Sequence, residues 1–291
     1  MRYILTLVAD RNSTSLSAAM IRRVAEAVRG SKPVLLSEGE AADIPCLEPP
    51  DPIAIQQALE NAAVDCIVTK TRGRRKALLV ADMDSTIVTS ETLDELAAFA
   101  GVKAEIEAIT RRSMNGEIDF AEALRARVAM LRGLDLDALE KTWKQTELMP
   151  GARELVATMR AHHALTALVS GGFTFFTGRV AAAAGFDEHH ANGLIDDGHT
   201  LTGEVAEPIL DRDAKKATLL RLAEQRGVKL SATLAVGDGA NDLAMLAVAG
   251  LGVAYHAKPI VAREARARID HGNLRAILFA QGYPASAFVT V

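Results

Sequence analysis

Residues 77–81 (ALLVA) are an unbroken apolar run, too short for a helix and without the alternation of a half-exposed strand. Such a run belongs to a strand buried on both faces, and strands of that kind occur in parallel sheets with helices packed on either side. Two similar runs follow at 165–169 (LTALV) and 233–236 (TLAV). Each ends in a polar, glycine-bearing or acidic loop and leads into a helical pattern. Strands alternating with helices imply an α/β fold, a Rossmann-like parallel sheet with right-handed crossovers. In that topology ligands bind beyond the carboxyl ends of the strands, and all three loops at those ends carry polar residues suited to chemistry.

The first and second runs are separated by about 80 residues, far more than one crossover helix needs. Helical spacing over 93–100, 104–114, 120–131 and 136–144 predicts a helical cap inserted at about 90–148. Asp196, Asp197 and Gly198 between short β-like pieces predict a hairpin over 193–205. Ahead of the core, residues 1–69 read as a small α/β unit with strands at 3–8, 33–36 and 65–69 and helices at 15–28 and 53–63. Between the second strand and the second helix lies a polar stretch bearing Pro49, Pro50 and Pro52, with no clear hairpin. The basic segment 70–76 (KTRGRRK) reads as a solvated linker, leaving 77–291 for the main domain with its cap.

Thirty-three basic against thirty-seven acidic residues give a net charge of −4, which is no footprint for a nucleic-acid partner. Cys46 and Cys66 have no metal-ligand spacing and form no disulfide framework. The apolar start is stopped by Asp10 without a cleavage site, and no run approaches the ~20 residues of a membrane span. The expectation is a cytoplasmic protein without a membrane partner.

The first loop reads Asp82-Met83-Asp84-Ser85-Thr86. On an extended strand residues two apart face the same side, so both carboxylates could enter one pocket. One could then act as nucleophile while the other, protonated, supplies a proton to a leaving group. The third run ends in Gly237-Asp238-Gly239-Ala240-Asn241-Asp242, where glycines allow a tight turn and the carboxylates offer hard oxygen ligands for Mg²⁺. The second ends in Ser170-Gly171-Gly172, a hydroxyl and backbone N–H groups ahead of a helix, which suits phosphate. Lys215, just before a helical run at 217–224, could add a cation.

In this order the four elements resemble the haloacid dehalogenase superfamily of phosphotransferases, over residues 77 to about 285. The resemblance implies that Asp82 forms an aspartyl-phosphate and that Asp84 is the acid/base. It also implies that Mg²⁺ is held by Asp82, Asp238 and the Asp84 carbonyl, with Asp242 supporting. Ser170, Gly171, Gly172 and Lys215 would bind phosphoryl oxygens, and Asn241 would orient nucleophile and substrate.

The stretches around Glu91, Met114-Asn115-Gly116-Glu117-Ile118-Asp119-Phe120 and Leu124-Arg125-Ala126-Arg127-Val128 are similar to phosphoserine phosphatases in particular. By that resemblance Glu91 takes the substrate ammonium and Arg127 its carboxylate, Arg125 being the weaker choice of the two, while Met114 and Phe120 line the pocket. The implied reaction is hydrolysis of O-phospho-L-serine as the last step of serine biosynthesis. Two alternatives stand beside it: transfer of the phosphoryl group to another amino alcohol, and an amino-acid sensor with an idle core. The 1–69 unit loosely resembles the amino-acid-binding regulatory (ACT-like) domains attached to some family members. Serine feedback there is one expectation, and a dimerising or purely structural role, as in a homodimer, is the other.

Overall fold

The computed structural model describes residues 2–10, 13–114, 117–211 and 213–290. The chain begins with β1 (Tyr3–Ala9), α1 (Ala18–Ala27), β2 (Val34–Ser37), β3 (Ala41–Cys46), α2 (Pro52–Leu59) and β4 (Val64–Lys70). These strands form an antiparallel sheet in the order β2-β3-β1-β4, the β-α-β-β-α-β arrangement of ferredoxin-like units. Ser17 caps α1 by accepting from the N–H of Met20, and Asp51 caps α2 ahead of Pro52. The two helices cover one face of the sheet over Leu5, Leu7, Val24, Ile44 and Leu59. Its other face, with Val8, Leu36, Ala41 and Ile67, joins the core of the rest of the molecule.

Two expectations are corrected here. The polar stretch after β2 contains a strand, β3, which forms with β2 a hairpin that the sequence did not reveal. Its composition hides it. Asp43 is buried because Thr6 Oγ1 donates to it at 2.7 Å and Arg74 pairs with it at 2.6 Å. Pro45 lies beyond the last β2 pairing, Val34 with Asp43, so its missing N–H breaks no bond to that neighbour. Nor is 70–76 simply a solvated linker. Arg74 grips Asp43 and Thr6 on one side and the carbonyls of Phe279 and Ala280 on the other. Lys76 is buried and donates to the carbonyls of Gly73 and Ser231.

The chain continues with β5 (Leu78–Ala81), then α3 (Thr92–Ala100), α4 (Lys103–Met114), α5 (Phe120–Ala129) and α6 (Asp137–Gln145). Next come α7 (Ala152–Ala161), β6 (Leu165–Phe173), α8 (Thr174–Ala184), β7 (Glu188–Asn192), β8 (Leu194–Asp196) and β9 (Leu201–Val205). It closes with α9 (Ala214–Gln225), β10 (Thr233–Gly237), α10 (Leu243–Val248), β11 (Leu251–Tyr255), α11 (Pro259–Glu264), β12 (Ala267–Ile269) and α12 (Arg275–Ala280). A six-stranded sheet runs β12-β11-β10-β5-β6-β7, all neighbours parallel. All four residues of β5 are fully buried, as its unbroken apolar run requires.

From β5 the chain winds one way through β6 and β7 and the other way through β10, β11 and β12. The reversal opens a crevice at the carboxyl end of β5, between β6 and β10. Helices α3 to α6 stand over that end, packed on Leu96, Ala97, Ile106, Leu124 and Val128. β8 and β9 form the hairpin expected at 193–205, and it packs on α5. No helix among the described residues is long and apolar enough to cross a membrane.

Candidate active site

The N–H of Asp82 donates to Val236 O at 3.0 Å, which extends the β5–β10 ladder by one residue and aims Asp82 into the crevice. The chain then turns: the N–H groups of Ile87 and Val88 both reach back to Met83 O, and Ser85 takes a left-handed φ of 55°. Asp84 therefore lies in a turn, not on an extended strand as its spacing from Asp82 suggested. It still faces the crevice, with Oδ1 accepting from Thr92 N at 2.8 Å and Oδ2 from Ser170 Oγ at 3.2 Å.

Ser170, Gly171 and Gly172 do not form a helix-entry turn. β6 runs through them to Phe173, with its register to β7 irregular between Val169 and Phe173. Gly172 N donates to Ser170 Oγ at 2.8 Å, and a Cβ on Gly172 would sit 3.3 Å from Asp84 Oδ2.

Lys215 is no solvent-facing lysine. It lies within the first turn of α9, is 4% exposed, and places Nζ 2.7 Å from Asp82 Oδ1 and 2.6 Å from Asp242 Oδ1. Asp82 Oδ1 also accepts from Met83 N at 2.8 Å, whereas Oδ2 takes no hydrogen bond among the described residues. Asp242 engages both oxygens, the second with Gly239 N at 3.0 Å. This geometry requires glycine at 237, where a Cβ would lie 2.3 Å from Asp242 Cγ. Asp238 receives Thr86 Oγ1 at 3.1 Å on one oxygen and faces Lys258 Nζ at 3.6 Å on the other.

Oxygens of Asp82, Asp238 and Asp242 all lie within 4.8 Å of one another. Burial, and then the neighbouring Asp242, push the Asp82 carboxyl well above the ordinary range, against the pull of Lys215. Burial likewise raises Asp238, with Lys258 opposing, and raises Asp84 against its hydrogen bonds from Thr92 and Ser170. For Lys215 burial works against the charge, but Asp242 and Asp82 outweigh it and hold the ammonium above its usual range. Among the described residues, three buried carboxylates face one buried ammonium, Lys215, and one half-exposed ammonium, Lys258, so the cluster is short of positive charge. Hard oxygen donors in that state fit a divalent cation of the Mg²⁺ type.

At the mouth of the cap Glu91 precedes α3 and accepts from Ser85 Oγ at 2.8 Å. Burial and then Asp84 raise its carboxyl. Arg127 is half-buried on α5, anchored by Ala123 O at 3.2 Å and Thr110 Oγ1 at 3.3 Å; burial disfavours its charge, while Asp94 and Glu91 favour it. Arg125 points elsewhere, paired with Glu207 at 2.6 Å on the exposed side. Phe120, Ser170, Gly171, Lys215 and Asn241 line one small cavity, with the Phe120 ring against Gly171. Met114 closes α4, and its side chain lies outside the described residues.

The crevice thus gathers Asp82, Asp84, Ser170, Gly171, Gly172, Lys215, Asp238, Asn241 and Asp242, with Glu91, Phe120 and Arg127 along the cap. Sequence reasoning missed Thr86, Thr92 and Lys258. Thr86 ends the first acidic motif and could have been read from it. Thr92 is the first residue of α3, and Lys258 follows β11, a strand that no sequence feature had marked.

Residues 79–247 match the family model of the haloacid dehalogenase-like hydrolases. A probable phosphoserine phosphatase of Schizosaccharomyces pombe is 41% identical over 227 residues, 77% of this chain and 76% of that one. The chain covers 58% and 51% of the length of curated phosphoserine phosphatases from Streptomyces coelicolor and Mycobacterium tuberculosis. Among solved structures, a phospho-aspartyl intermediate analogue of phosphoserine phosphatase is similar at 39% identity and TM-score 0.65, over 70% of this chain and 98% of that one. A probable phosphoserine phosphatase from Vibrio cholerae, unliganded, is similar at 31% identity and TM-score 0.79, over 98% and 88%.

Proposed function

Because the chain belongs to the haloacid dehalogenase superfamily and, within it, to the phosphoserine phosphatases, we propose that it hydrolyses O-phospho-L-serine through a phosphoryl group carried on Asp82. The observation that carries this reading is the convergence of Asp82, Asp238 and Asp242 at the carboxyl ends of β5 and β10, with Lys215 between Asp82 and Asp242.

Lys215 and the Met83 N–H hold one oxygen of Asp82 and leave Oδ2 to attack phosphorus. As the Asp82–phosphorus bond forms and the bond to the seryl oxygen breaks, Asp84 gives its proton to that oxygen. Its burial-raised carboxyl suits it to start protonated. Water then attacks the aspartyl-phosphate, the bond to Asp82 breaks, and Asp84 takes the water's proton. Ser170 Oγ, the N–H groups around Gly171 and Gly172, and the Lys215 ammonium steady the charge on the transferred group. Asp82, Asp238 and the Asp84 carbonyl would hold Mg²⁺, with Asp242 fixing Lys215 beside them; when bound, the ion offsets charge on the phosphoryl oxygens. Asn241 lies on the wall of the same cavity and orients the substrate.

Glu91 and Arg127 take the ammonium and carboxylate of the amino-acid end, and Phe120 lines the pocket around it. Product serine and phosphate make this the last step of serine biosynthesis, in the cytoplasm. The same reading divides the chain into a 1–69 unit, a 70–76 connection and a 77–291 catalytic domain capped at about 90–148. Phosphate release from a panel of phosphorylated metabolites, with Mg²⁺ and with chelator, tests it. Phosphoserine should lead and chelator should stop release; another leading ester would take the substrate roles from Glu91 and Arg127.

A further inference from the structure

The N-terminal sheet is linked to Asp238 through hydrogen bonds and a short stretch of backbone. Asp65 on β4 is 4% exposed, and its carboxylate accepts from three consecutive backbone N–H groups across the interface. These are Asp270 at 2.7 Å, His271 at 3.1 Å and Gly272 at 2.7 Å. A Cβ on Gly272 would lie 3.0 Å from Asp65 Oδ2, so the close approach depends on that glycine.

The segment so fixed then holds His256. The backbone N–H of His256 donates to Ile269 O at 2.8 Å, and its ring Nε2–H donates to Gly272 O at 2.8 Å. His256 has a left-handed φ of 41°, a conformation that disfavours a non-glycine residue and persists only where the surroundings impose it. Two residues on, Lys258 donates its backbone N–H to Asp238 O at 3.0 Å and faces Asp238 Oδ2 with its ammonium.

We propose that Asp65 is a positioning residue for Asp238, acting through the 270–272 segment, His256 and Lys258. The N-terminal unit is then part of what holds the cation-binding carboxylate in place, and not only an appended module. His256 is the hinge: with the 270–272 segment released, its left-handed backbone relaxes and carries Lys258 away from Asp238. The metal arm of the test rests on the function proposed above; the exchange arm does not.

The whole chain is compared as Asp65→Ala, His256→Ala, His256→Gln, the Asp65→Ala/His256→Ala pair, and Arg74→Ala, which severs a different clamp of the same interface. Amide hydrogen exchange over residues 256–262 is read without metal, and Mg²⁺ affinity is read by calorimetry. Asp65→Ala and His256→Ala should each speed exchange and weaken Mg²⁺ about tenfold, the low end for outer partners of metal ligands. The pair should be no worse than either alone, since both cut one path. His256→Gln, which keeps a donor for Gly272 O, should return both readouts most of the way to wild type, and Arg74→Ala should change neither readout. Equal effects of Arg74→Ala and Asp65→Ala, or multiplying effects in the pair, would overturn the proposal. If the wild-type chain takes up no Mg²⁺, the function proposed above fails, and the exchange arm still decides this one.

Discussion

Replacing Lys215 by methionine keeps much of the side-chain volume and removes the ammonium lying between Asp82 and Asp242. Lys215 and both carboxylates are nearly inaccessible, with side-chain exposures of 5%, 9% and 0%. Removing one partner of a buried pair leaves uncompensated charge and costs about 3–5 kcal/mol. For a chain of this size that lowers the melting temperature by roughly 9–15 °C, at about 3 °C per kcal/mol. Asp82 sets the pH dependence. Its folded-state pKa is raised well above the ordinary carboxylate range, chiefly by burial, and Lys215 moderates the rise. A carboxyl raised on folding contributes stability that is present below the unfolded pKa and lost as pH rises through the folded one. Without Lys215 the rise is larger, so the deficit of Lys215→Met should be small near pH 4 and grow toward pH 8. Thermal melts of both chains in chelator across that range, repeated with Mg²⁺, provide the assay. Mg²⁺ should recover more stability in the variant than in the wild type. A variant as stable as wild type at pH 8 in chelator would refute the charge argument.

Arg127→Ala should lower kcat/KM for phosphoserine by roughly ten- to a hundredfold, the loss of a charge-assisted contact, and barely affect a phosphate ester without a carboxylate. Steady-state rates on both esters check this, and equal losses would contradict it. Gly237→Ala should push Asp242 off Lys215 and Gly239, lowering kcat about a hundredfold for a displacement of this size, as single-turnover rates would show. Arg74→Ala should cost about 3 kcal/mol in denaturant melts, because Asp43 is left buried without its partner, while turnover at 25 °C stays near wild type.

The parts of the fold that could be read early are those whose sequence carries a physical signature of its own. β5 and the stretches 165–169 of β6 and 233–236 of β10 lie in the middle of the sheet and are largely apolar and buried, and α3 to α6 show helical spacing because one side of each faces the core. β7 (EHHAN) could not be read this way: it is an edge strand with one neighbour and polar side chains. β12 has three residues, and β3 carries an aspartate and a proline whose places only tertiary contacts explain. The acidic loops around Asp82 and Asp238 were legible because their spacing and their place at strand ends coincide. The meeting of Lys258 with Asp238 was not, since it follows from β11 lying beside β10. The basic segment 70–76 misled because composition says solvent, whereas a guanidinium offered Asp43, Thr6 and two carbonyls is satisfied inside an interface.

The most direct test of the account is to look for phosphate on Asp82. The chain is mixed with phosphoserine and Mg²⁺, quenched in acid within a turnover, reduced with borohydride and read by peptide mass spectrometry. Asp82 should be converted to homoserine, dependent on substrate, with no such conversion in Asp82→Asn. An unmodified Asp82 under conditions of rapid turnover, or the same conversion at a different carboxylate, would contradict it.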